Sequence, residues 1–141
     1  MSGKLLGLEG LKVHADKPAR LTVVNPYTRA PLTVTDTDIV CWVDVLSDSS
    51  AVGAALVREQ TDKIFQRRGR PIKPEDFEKD QVEKAARLTV NWGLVSLSGD
   101  AIDLPYTRST ARDVYAMPEL RWLRDQVLDF SAELGNFQET S

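Results

Sequence analysis

The spacing of apolar positions changes character partway along this chain. Residues 20–25, Arg-Leu-Thr-Val-Val-Asn, are rich in β-branched side chains and stop at Asn25-Pro26, where proline lacks a donor and keeps the preceding residue out of helix. That predicts a strand followed by a turn. Residues 32–35, Leu-Thr-Val-Thr, predict an antiparallel return, and residues 39–46 a longer third strand, so 19–46 reads as a three-stranded antiparallel β meander. In the third strand Ile39, Cys41, Val43 and Val45 fall on one face and Val40, Trp42, Asp44 and Leu46 on the other. Both faces are largely apolar, so the strand needs cover on two sides, from helices or from another chain.

Beyond residue 46 the period lengthens. Ser47-Asp48-Ser49-Ser50 offers N-cap oxygens before the proline-free run 51–68, where Val52, Ala55 and Leu56 form one stripe and Val57, Ile64 and Phe65 another. Gly69 predicts its end. Pro74, followed by Glu75 and Asp76, suits the first turn of a second helix, and Phe77, Ala85, Leu88, Trp92 and Val95 carry its stripe to about residue 97. Ser98-Gly99-Asp100 predicts a turn and 101–106 an extended segment. Thr107 then caps a short helix to about residue 116, and Pro118 opens a last helix that Gly135 closes. The pattern therefore predicts an α+β fold, with the meander followed by a four-helix region over 47–141. A single domain is expected over 19–141, with residues 1–18 expected to form a mobile N-terminal arm.

A length of 141 residues supports one hydrophobic core. The net charge of −3 and pI near 5.2 argue against general coating of nucleic acid, and point to protein partners. Cys41 is the only cysteine, so no internal disulfide forms, and a cytoplasmic setting is expected. No apolar run approaches the roughly 20 residues that cross a bilayer, so no membrane association is expected.

Candidate chemistry is sparse. His14 stands alone, and Cys41 lies among β-branched neighbours, which suits a small buried hydrophobe better than a nucleophile. Asp36 with Asp38, and Asp100 with Asp103, lack the further oxygen ligands of a calcium loop and read as turn residues. No catalytic residue, metal or cofactor is predicted. Arg67, Arg68, Arg70 and Lys73 make a basic cluster, followed by the acidic run Glu75, Asp76, Glu78, Asp80 and Glu83. The two can pair or solvate a helix, and the basic cluster can instead dock an acidic partner or touch nucleic acid. Trp92 and Trp122 fall on core stripes, whereas Phe137 lies past the closing glycine and either folds back as a latch or contacts a partner.

The order of landmarks resembles the tail assembly chaperones of long-tailed, siphovirus-type bacteriophages. The hairpin is Val24-Asn25-Pro26-Tyr27-Thr28 to Leu32, with Arg29-Ala30 where a glycine is usual, and the helix-end tryptophan is in Val90-Asn91-Trp92. The capped helix is Leu104-Pro105-Tyr106-Thr107 with Ala111 and Tyr115, where Thr110 replaces a frequent asparagine. The close is Trp122-Leu123-Arg124-Asp125-Gln126-Val127 with Asn136-Phe137. The resemblance covers about residues 20 to 137 and implies a noncatalytic protein of the host cell cytoplasm. Such a protein binds the phage tape measure protein, keeps it soluble and helps recruit the tail tube protein. It implies exposed apolar surface, for which Trp42, Leu56, Phe65 and Phe137 are the partner-binding candidates, and it leaves room for self-association. The alternative class is a structural virion component, such as a minor tail or head-tail joining protein.

Overall fold

The computed structural model describes residues 16–137. It is an α+β fold with a three-stranded antiparallel sheet and four helices. The strands are β1 (Ala19–Thr22), β2 (Trp42–Val45) and β3 (Thr89–Gly93), in the order β1-β2-β3. The helices are α1 (Ala51–Gln66), α2 (Pro74–Leu88), α3 (Arg108–Ala116) and α4 (Arg121–Ala132), with short 3-10 turns at Pro118–Leu120 and Leu134–Phe137. The expected arm lies outside the described residues as far as position 15, and so does His14. At its end the Asp16 carboxylate accepts from the Ala51 amide at 2.8 Å, beside the Ser50 hydroxyl that caps α1 through Gly53.

The sheet differs from the expected meander in one strand. Residues 31–34 do pair with 23–25 and 39–41, but only through the isolated bridges Val24 to Pro31 and Thr33 to Val40, because the Leu32 amide donates to the Val23 carbonyl while the Val23 amide donates to the Cys41 carbonyl, so neither ladder extends. The Arg29-Ala30 turn closes without glycine. Arg29 itself takes the left-handed conformation (φ 64°), and the Asn25 side chain accepts from the amides of Tyr27 and Thr28.

The third full strand comes instead from 89–93, where the sequence pattern continued a helix. Leu88, Trp92 and Val95 have helical spacing, yet Thr89 and Val90 are β-branched. Thr89 turns extended and brings both its N–H and its hydroxyl (2.9 Å) onto the Ala85 carbonyl, which satisfies the helix end and terminates α2. Gly93 lies opposite Trp42, and any Cβ there would overlap the indole.

Alternation on β2 follows expectation, with Val43 and Val45 fully buried and Trp42 and Asp44 half-buried. The inner face packs on Ala85 and Leu88 of α2, Val114 and Tyr115 of α3, and Leu123 and Val127 of α4. Trp92 is the hub. Its ring stands edge-on to Tyr106 (5.3 Å) and Tyr115 (6.3 Å), and its Nε1 donates to the Leu104 carbonyl at 2.8 Å. Tyr106 donates to the Thr89 carbonyl at 2.6 Å, while the Tyr115 and Thr89 hydroxyls share a 2.8 Å bond. Landmarks that stand far apart in sequence thus meet in one aromatic cluster, which pins the extended segment before α3 to the sheet.

Candidate functional site: an apolar cleft and an uncovered helix stripe

The pinned segment leaves a gap between itself and the start of α4. The gap is an apolar cleft of about 480 Å³. Its floor includes Cys41, Leu94, Val95 and Val114; its rim includes Leu97, Ile102, Leu104 and Met117, all exposed, with Trp122 alongside. Leu97 and Ile102 are placed there by the Ser98-Gly99-Asp100 turn, in which Gly99 is left-handed (φ 92°) and its carbonyl accepts from the Thr35 amide at 2.9 Å. Glu119 is the one carboxylate on the lining, and burial pushes the Cys41 thiol above its ordinary range, away from the nucleophilic thiolate. The arrangement suits burial of apolar side chains from a ligand.

The four side chains expected to bind partners separate into two pairs. Leu56 is only 2% exposed and is a buried residue of α1. Phe137 is 3% exposed: the chain folds back after α4, its ring packs edge-on to Phe130 at 5.7 Å, and Asn136 donates to the Phe130 carbonyl at 3.0 Å. Both are buried rather than exposed, and Phe137 folds back as a latch. Trp42 is half-buried on the outer face of the sheet with the Arg20 guanidinium 3.8 Å above its ring, held there by Asp44 at 2.9 Å. Phe65 is 76% exposed. It belongs with Val57 and Ile64, the second stripe of the sequence pattern, which nothing among the described residues covers.

The cleft was absent from the sequence expectations. Its rim residues lie in irregular segments, where neither a helical nor an alternating period marks a face. The available signal was the density of large apolar residues, Leu97, Ile102, Leu104 and Met117, in stretches that do not need them for a stripe.

The acidic run finds partners on several elements. Asp76 pairs with Arg67 (3.0 Å) and Asp80 with Lys63 (3.8 Å), across the α1–α2 hairpin. Glu83 is gripped by Arg112 at 2.8 Å and Arg87 at 2.7 Å, chiefly the former, which holds its carboxyl down at about 2. Glu78 pairs at 2.6 Å with Arg124, a charged residue of α4 that the fold buries, its Nε without a partner among the described residues. The hydrogen bond from Arg124 lowers the Glu78 carboxyl. Arg68, Arg70 and Lys73 have no carboxylate within ion-pair distance among the described residues.

Among the described residues there is no cluster of potential metal ligands, and no helix is long and apolar enough to cross a membrane. No protein-family model, curated protein or solved structure matches the chain.

Proposed function

We propose that this chain is a noncatalytic tail assembly chaperone of the siphovirus type, acting in the host cell cytoplasm. It holds helix-forming apolar stretches of the tape measure protein in solution and helps bring tail tube subunits to them. The observation that carries this reading is the open apolar cleft beside Met117, Leu97 and Leu104. A reversible grip on an apolar helix needs a concave greasy surface that water can reach when the partner leaves. The order of landmarks along residues 20 to 137 supports the same reading.

The test is co-expression of the tape measure protein with this chain, or with its Leu97→Asp, Met117→Asp variant. The native chain should keep the tape measure protein in the soluble fraction. The variant, with an unchanged circular dichroism spectrum because both positions are exposed, should not. Tape measure solubility that is indifferent to the native chain would sink the proposal. Recovery of the chain from purified particles would mark it as a virion component.

A further inference from the structure

The α1–α2 hairpin carries a surface that the cleft does not use. Among the described residues, α1 touches the rest of the molecule along one side only. There Gly53 and Leu56 are buried, Gln60 donates to the Asp80 carbonyl at 3.4 Å, and Lys63 and Arg67 pair with Asp80 and Asp76. The other side presents Ala54, Val57, Thr61, Ile64 and Phe65, whose steps of three, four and three residues set one face over three turns, with Phe65 beside Ile64. Val57, Ile64 and Phe65 are each more than half exposed.

The stripe runs into a cationic end. From Lys63 to Lys73 the chain holds five basic residues and no acid, although its net charge is −3. Arg68 and Gly69 turn the chain through left-handed conformations (φ 51° and 84°). That turn leads into Arg70 and Lys73, which like Arg68 lack carboxylate partners among the described residues. Ile72 and Phe77 are exposed at the same end.

We infer that this face docks an amphipathic helix of a partner protein whose carboxylates lie at the end that meets Arg68, Arg70 and Lys73. A helix with apolar residues every three or four positions fills the stripe. Acidic residues in its first turn complement both its own dipole and the cationic end. A nucleic acid would satisfy the cations and leave Val57 and Ile64 wet. The cleft and this face share no residue, so the inference holds apart from the tail assembly reading.

The probe is a synthetic peptide of about 18 residues, long enough to hold a bound helix, with leucines at alternating three- and four-residue steps and glutamates in its first turn. A second peptide carries lysines in their place. Fluorescence anisotropy at physiological salt should show the glutamate peptide bound by the native chain. Phe65→Ser, and separately Arg70→Glu with Lys73→Glu, should each weaken binding by at least about tenfold. The charge-reversed variant should then prefer the lysine peptide. All three positions are exposed, so circular dichroism should confirm an intact fold. Equal binding of the two peptides, indifference to Phe65→Ser, or tighter binding of a duplex DNA oligonucleotide than of the glutamate peptide would each overturn the inference.

Discussion

Glu83 and Gln126 hold elements together by opposite means. Glu83 joins α2 to α3 by charge: its oxygens take bonds from Arg112 at 2.8 and 2.9 Å and from Arg87 at 2.7 Å. Folding lowers its pKa to about 2, so its contribution is complete above the ordinary glutamate value near 4.5 and fades as pH falls from there toward 2. The thermal midpoint of the native protein should therefore drop more steeply over that window than that of Glu83→Gln, whose side chain at position 83 does not titrate. Gln126 works by amide geometry. Its Oε1 accepts from the Val24 amide at 3.0 Å and its Nε2 donates to the Val24 carbonyl at 2.9 Å. Gln126→Ala strips a part-buried peptide group of both partners and should cost about 1–3 kcal/mol in urea unfolding.

At the scale of elements, α1 has a core side and a wet side, and single truncations on each should separate them. Leu56→Ala removes a buried side chain and should cost about 2–5 kcal/mol, whereas Phe65→Ala should stay within about 0.5 kcal/mol by the same denaturation measurement. Both stripes of α1 were legible in the spacing of Val52 and Leu56 and of Val57, Ile64 and Phe65. Which stripe faced inward was not, since each is apolar and only the position of α2 decides. The caps at Ser50 and Thr107 and the alternation on β2 were also readable, because each rests on local geometry. β3 was hidden, as Leu88, Trp92 and Val95 satisfy a helical period, and only Thr89 bonding back to Ala85 shows why the helix stops. Arg124 was hidden for a similar reason: nothing local announces that Glu78, on another helix, will meet it.

Across the whole molecule, the residues that carry the resemblance are engaged in folding. Trp92, Tyr106 and Tyr115 form the aromatic hub, Gln126 clamps Val24, and Phe137 latches onto Phe130. The exposed apolar surfaces are the cleft, which Leu104 and Trp122 of the resemblance also line, and the outer side of α1. The Gln126 clamp has one more effect. A bare strand border invites a neighbour's backbone, and here the peptide that continues β1 already has a side-chain amide in that berth. A strand from another copy that tried to zip onto this border would have to evict the Gln126 amide from Val24 first.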